Sequence, residues 1–305
     1  MSRLASISVD LDEIHLYADI HGVGGARLPG RPIYSRALPR FLELFERHRI
    51  RATFFVIGRD LDDPKNRELL WEAHRRGHEL ANHSETHLYD LTRRDQATLE
   101  REIDLAARKI EALIGHSPVG FRAPGYTISD SLLRILETRG YLYDSSVFPS
   151  FPYYAAKAGA MAWINARGRR SKSILDSPRI LTAPPRPYRV GASYTKRGDG
   201  ILELPIATSR WMRLPVIGTF LVMMPPRYGL ALLRSAMIGP HLNLEFHGID
   251  LADRDADGLT ALSRHQPDLR VPLDAKLNRL DAVIVECKRA GYDFTRLDEA
   301  ARSIG

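Results

Sequence analysis

Short apolar runs alternate with amphipathic segments along almost the whole of this 305-residue chain, and that rhythm restricts its architecture more than any other feature. Residues 4–9, 52–57, 79–82, 119–122, 141–143, 201–205, 242–246 and 292–294 read as strands. Segments 35–48, 67–76, 92–114, 129–139, 227–237 and 274–290 read as helices. In the first of these, Leu38, Phe41, Leu42 and Phe45 recur at the spacing of one helical face. Thr92 is the expected cap of the long third helix, with Asp95 at its start and Gly115 as its stop. Strand–helix alternation implies a parallel sheet with helices outside. Seven or eight such units fit a closed β/α barrel, with a doubly wound open sheet as the alternative.

Composition places the chain among ordinary globular proteins, at 44% hydrophobic and 27% charged residues. The reading is a single catalytic domain over residues 1–305, with the Pro-, Gly- and Arg-rich stretch 149–200 as an irregular lid or insertion. A single cysteine, Cys287, excludes an internal disulfide and any Cys-rich zinc module. The net charge of +7 suits a phosphate-bearing partner or a membrane surface. No recognition helix, zinc finger or stacking platform accompanies it, so nucleic acid is not expected as a partner. The cluster Arg167, Arg169, Arg170 and Lys172 reads as an exposed loop. The apolar window 214–224 is too short to span a bilayer and reads as a buried hairpin or loop, or else as an apolar wall against a greasy substrate. With no signal peptide or spanning helix in view, the expected location is cytoplasmic.

Chemistry-bearing residues fall just after expected strands, where the active face of a β/α barrel lies. Asp10 and Asp12 are spaced i, i+2 after the first strand and point the same way on an extended chain. His83 and His87 follow the third; on a helical turn they would share one face and hold one metal ion. Asp12, His83 and His87 form a two-His, one-carboxylate set that leaves coordination positions open, as catalytic metal sites do. Arg122 can fix a carboxylate, and Pro124-Gly125-Tyr126 forms a tight turn whose backbone N–H could face a ligand. His247 ends an apolar strand, where it could act as general acid. Taken singly, each of these has a plain structural reading: a cap, a surface pair, a turn, a satisfied core histidine.

Together, Asp10/Asp12, His83/His87, Arg122-Ala-Pro124 and Leu244-Glu-Phe-His247 resemble the motifs of the polysaccharide deacetylases with a NodB-homology domain, carbohydrate esterase family four. Gly77-His-Glu-Leu80 and Gly140-Tyr-Leu-Tyr-Asp-Ser-Ser146 are similar to that family as well. The resemblance implies a distorted β/α barrel of about seven parallel strands and a hydrolase that removes an N-acetyl group from an amino sugar. It implies Asp12, His83 and His87 as ligands of a divalent metal, zinc or cobalt among the candidates. It implies Asp10 as base, Arg122 as its holder, His247 as acid, and Pro124, Gly125 and Tyr126 near the substrate. Asp144 is carried over as the nearest acid in register with a further family motif. Leu11 separates the two aspartates, which in the commoner family form are adjacent; the spaced form resembles a branch that also includes enzymes of non-sugar amides. The expected substrate is an N-acetylated sugar or glycoconjugate, with peripheral membrane contact if that sugar is lipid-linked. A cyclic or linear amide hydrolase and a non-catalytic sugar binder are the alternatives.

Overall fold

The computed structural model describes residues 3–23 and 30–305. Among them are nine strands: β1 (Arg3–Asp10), β2 (Thr53–Val56), β3 (Glu79–Asn82), β4 (Gly120–Phe121), β5 (Tyr143–Asp144), β6 (Tyr188–Val190), β7 (Arg197–Glu203), β8 (His241–His247) and β9 (Tyr292–Phe294). Helices α1 (Ile14–His21), α2 (Leu38–His48), α3 (Pro64–Arg75), α4 (Gln96–Ile114) and α5 (Asp130–Thr138) follow the early strands. Helices α6 (Phe151–Ala166), α7 (Gly218–Met223), α8 (Pro226–Ala236), α9 (Leu273–Arg289) and α10 (Leu297–Ile304) complete the set.

One sheet contains all nine strands, in the order β6-β7-β5-β4-β3-β2-β1-β8, with β9 beside the start of β1. The seven strands from β7 to β8 run parallel, and β6 pairs antiparallel with β7. The sheet is curled into a half-barrel and does not close. Across the seam between β7 and β8, Ala207 N donates to Asn243 O at 2.9 Å and Asn243 Nδ2 donates to Leu204 O at 2.9 Å. Strands β4 and β5 are two residues long. They are nevertheless paired on both sides; among the described residues the ladder is missing only between β7 and β8.

Alternation along each strand decides which residues enter the half-barrel. The register aligns Asp10 with His247 and with Phe55, and Phe55 with Ala81. This inner row continues through Gly120, Tyr143 and Leu202. A Cβ on Gly120 would lie 2.1 Å from the Tyr143 ring, so glycine there lets Tyr143 cross the interior and donate to Glu79 Oε1 at 3.0 Å. The outer row packs the apolar layer under the helices: Phe54, Phe246 and Val9 join Phe41 and Phe45 of α2 in the main core. The Phe45 ring lies 5.6 Å from Phe41 and 6.2 Å from Phe54.

Several local expectations change. The cap of α4 is Asp95, whose carboxylate accepts from Thr98 N at 2.7 Å; Thr92 belongs to a preceding 3-10 turn. The stretch 149–200 contains α6, β6 and the start of β7. Helix α6 is alanine-rich and buries Ile164 alone, so it carries almost no amphipathic period to detect. The window 214–224 forms α7, which buries Leu221 and Val222. Helix α1, started by the Glu13 side chain on Ile14 N at 2.8 Å, has no counterpart in the sequence reading. No helix among the described residues is long and apolar enough to cross a membrane.

Gly120→Ala is expected to force Tyr143 from its place and lower the unfolding free energy by about 1–3 kcal/mol, read from a urea titration.

Candidate active site

The C-terminal ends of β1, β3, β4 and β8 converge on one cleft. Asp10 ends β1 and stands directly beside His247 at the end of β8. Arg122, one residue past β4, is fully buried. It spends its guanidinium inward: Nη1 donates to Asp10 Oδ1 at 2.6 Å, Nη2 to Ser8 Oγ at 2.9 Å and Ser145 Oγ at 2.8 Å, and Nε to Ser145 O at 2.9 Å. Its charged carbon also sits 4.1 Å from the centre of the Phe55 ring. A buried arginine so fully bonded is a fixed post, and Asp10 is the carboxylate it holds.

Asp12, His83 and His87 face one another. His83 Nε2 and His87 Nε2 each lie 3.3 Å from Asp12 Oδ1, and all three residues are buried. None of these three atoms makes a directed hydrogen bond. Burying three such polar atoms unsatisfied is costly, and one cation at their centre would satisfy them all. His83 Nδ1 is 2.6 Å from the Arg122 carbonyl, which places its proton there and leaves the Nε2 lone pair toward Asp12. Oxygen and imidazole nitrogen donors of this number fit a divalent transition ion with open positions. Burial opposes the charge on Asp12, but His87 and His83 outweigh it and hold its carboxyl well below the ordinary value. Burial likewise opposes a charged His83, and Asp10 and Asp12 reverse the balance and raise its pKa.

The two histidines are not on a helical turn. Residues 83–87 form an irregular loop in which Ser84 and His87 take left-handed backbone, at φ 64° and 56°. The loop is stitched by Ser84 N to Asn82 Oδ1 (2.8 Å), His87 N to Ser84 Oγ (3.1 Å) and Thr86 N to Glu102 Oε2 (2.8 Å). Tyr126, after the Pro124-Gly125 turn, is also left-handed at φ 58°. Strain of this kind persists only where the surroundings impose it.

On the other side of the cleft, His247 Nδ1 is 2.9 Å from Glu245 Oε1, and its Nε2 is 3.3 Å from the Tyr126 hydroxyl and 3.9 Å from Asp12 Oδ2. Burial opposes an imidazolium here, yet the adjacent Glu245, with Asp10 and Asp12, lifts the His247 pKa well above its ordinary value. The sequence reading passed over Glu245. The signal was its i, i+2 spacing to His247, which puts both side chains on the inner face of β8.

Asp144 lies elsewhere. It aligns with Phe121 and Glu203 on the outer row, one residue out of phase with Asp10. Its carboxylate accepts from Ser146 N at 3.0 Å and Ser146 Oγ at 2.9 Å. Burial pushes the Asp144 and Glu203 carboxyls up together, and their closeness adds to the effect on Glu203. Ser146 Oγ bonds Ala123 N at 2.8 Å, so Asp144 reaches the cleft only through the Arg122-Ala123-Pro124 backbone. Beyond His87 a cavity of about 820 Å³ opens, lined by His15, Asp19, Arg59, Tyr89, Asp90 and Lys172 among others.

Residues 30–143 match the polysaccharide deacetylase family. A protein of Mycobacterium smegmatis assigned to the polysaccharide deacetylases has the same fold, with a TM-score of 0.55, 19% identity, and 97% of this chain and 95% of that one covered. Residues 30–143 are thus similar in sequence to polysaccharide deacetylases, and the chain has a fold that such proteins share. Peptidoglycan-N-acetylglucosamine deacetylase of Bacillus cereus is 33% identical over 110 residues, which cover 36% of this chain and 48% of that protein. The match thus spans about half the length of that relative. A family-four pseudoenzyme from Bacillus anthracis shares the fold at a TM-score of 0.53 and 15% identity, over 98% of this chain and 66% of that one.

A divalent ion at one hundred times its Kd should raise the unfolding free energy by about 2.7 kcal/mol. The same ion should leave His87→Ala unmoved in a thermal melt.

Proposed function

We propose that this chain is a metal-dependent N-deacetylase that hydrolyses the acetamido group of an amino sugar. The observation that carries the reading is the meeting, in one cleft, of the arginine-held Asp10, the unsatisfied Asp12–His83–His87 set and the Glu245-backed His247. Asp12, His83 and His87 would hold a divalent ion, zinc for preference, which when bound would supply Lewis-acid polarisation and lower the pKa of a bound water. Asp10 takes the proton of the attacking water, and Arg122 keeps its carboxylate from turning away. His247 hands a proton to the departing amine, which as an anion is too basic to leave. Burial opposes the charge of His247, but Glu245 with Asp10 and Asp12 raises its pKa and favours the protonated form. The Tyr126 hydroxyl, 3.3 Å from His247 Nε2, would steady the tetrahedral oxyanion or its sugar. The reading makes Asp144 a positioning residue, acting through Ser146 on the 122–124 turn.

An N-acetylated amino sugar is favoured by the Bacillus cereus relative, whose name specifies peptidoglycan N-acetylglucosamine. The 820 Å³ cavity beside His87, walled by hydrogen-bonding side chains and Tyr89, supports a hydroxylated ring.

Acetate release from N-acetylglucosamine oligomers tests the reading. Asp10→Asn should keep the metal and lose about a hundred- to ten-thousandfold in kcat, whereas Asp12→Ala should lose metal and turnover together. Full activity in a metal-free His83→Ala, His87→Ala variant would overturn it. The general acid works while protonated, so the rate falls as pH rises through the His247 pKa. Glu245→Gln removes the charge that raises that pKa, and the alkaline limb of kcat/KM should move to lower pH.

A further inference from the structure

The positive charge of this chain is concentrated in one third of it. Residues 145–244 hold fourteen Lys and Arg against three Asp and Glu, whereas the rest of the chain holds thirty against thirty-four. Two stretches, 145–175 and 204–244, contain no acid at all. The exposed large apolar side chains follow the same division. Among the described residues, Phe151, Trp163, Trp211, Met212, Met223, Tyr228 and Ile238 all lie in the acid-free stretches, and Trp71 alone of the exposed large apolar residues lies outside them.

Most of these residues form one continuous face. Ser150 Oγ donates to Arg213 O at 2.6 Å, which ties Phe151 to the 210–213 loop. Arg210 N donates to Ser235 O at 3.1 Å, which ties that loop to the C-terminal end of α8. Arg227, Tyr228, Ala231 and Arg234 are exposed along α8, and Met223 lies just before its start. Phe151, Trp211 and Met212 are 65%, 82% and 70% exposed. Arg210 lies over the Trp211 ring at 4.5 Å and Arg227 over the Tyr228 ring at 4.5 Å. Arg234 is matched by Glu286 of α9 at 2.6 Å. The face runs into the cleft through α7, where Phe220 packs with Tyr126 and Phe148 and Thr219 donates to Asp250 at 3.1 Å.

We propose that this face docks on a lipid surface bearing anionic headgroups, with Trp211, Met212 and Phe151 entering the interfacial layer and Arg210 and Arg227 meeting the headgroups. Exposed Trp and Tyr beside Arg210 and Arg227, neither of which is paired with an acid among the described residues, is the arrangement an anionic bilayer interface rewards on both counts. A soluble polyanion would reward the arginines and leave the apolar side chains in water. Docking would hold the cleft at the membrane surface, where a lipid-linked substrate resides. The inference does not rest on the deacetylase reading, because binding is measured without turnover.

Cosedimentation with vesicles is the test. The protein should bind phosphatidylcholine vesicles containing about one-third phosphatidylglycerol, and not phosphatidylcholine alone, with binding weakened by salt. Trp211→Ser with Met212→Ser, and separately Arg210→Glu with Arg227→Glu, should each lower the partition coefficient about tenfold or more, with unchanged circular dichroism. Brominated lipid should quench tryptophan emission in the parent and lose that quenching in Trp211→Phe. Wild-type partitioning in both double variants would overturn the proposal. So would binding to polyphosphate without binding to vesicles, or a dimer in sedimentation that Trp211→Ser dissolves, which would assign the face to a second copy.

Discussion

The Arg122–Asp10 ion pair is the fixed point of the cleft. A fully buried guanidinium survives in a protein interior only when its charge and its donors are answered. Here Asp10, two serine hydroxyls, a carbonyl and the Phe55 ring answer them, and these partners come from β1, β2 and the residue just after β5. Removing the arginine would leave a buried carboxylate uncompensated, and removing the carboxylate would strand the arginine. The pair therefore ties the interior packing of the sheet to the chemistry at its rim. The Arg122 carbonyl extends that tie to the neighbouring ligand set by fixing the His83 tautomer.

A second constraint is parity. In strands whose side chains alternate, one residue of phase separates a catalytic surface from a buried joint. Asp10, Glu245 and His247 share the inner row, and Asp144 and Glu203 occupy the outer one. Both rows carry buried carboxylates, but they resolve the cost of burial differently. The inner acids stand beside arginine and histidine, whereas the outer pair leans on donors from Ser146 and Val147 N. The outer pair thereby pins the backbone that bears Arg122 and the Pro124 turn.

Much of this was legible in the residues. Asp10, Asp12, His83, His87, Arg122 and His247 each follow an apolar run, and strand ends are where a parallel half-barrel displays its chemistry. Other features were not. Glu245 was passed over as part of a strand, although its spacing to His247 gave it away. Asp144 was placed by analogy, because two residues of β5 are too few to show their phase. The loop carrying His83 and His87 takes left-handed backbone at non-glycine positions, which no propensity signals. Helix α6 hid because it buries one side chain and so lacks a period.

The sequence by itself determined the strand–helix rhythm, the identity of the groups that could bind a metal or move a proton, and the separation of acid-rich from acid-free segments. These are local properties, set by spacing and composition. Only the tertiary structure decided that the sheet curls without closing, that Asp12, His83 and His87 face one point, and that Phe151 and Trp211 share a surface. Those outcomes depend on strand register and on contacts between residues more than sixty positions apart, and no local window of sequence contains that information.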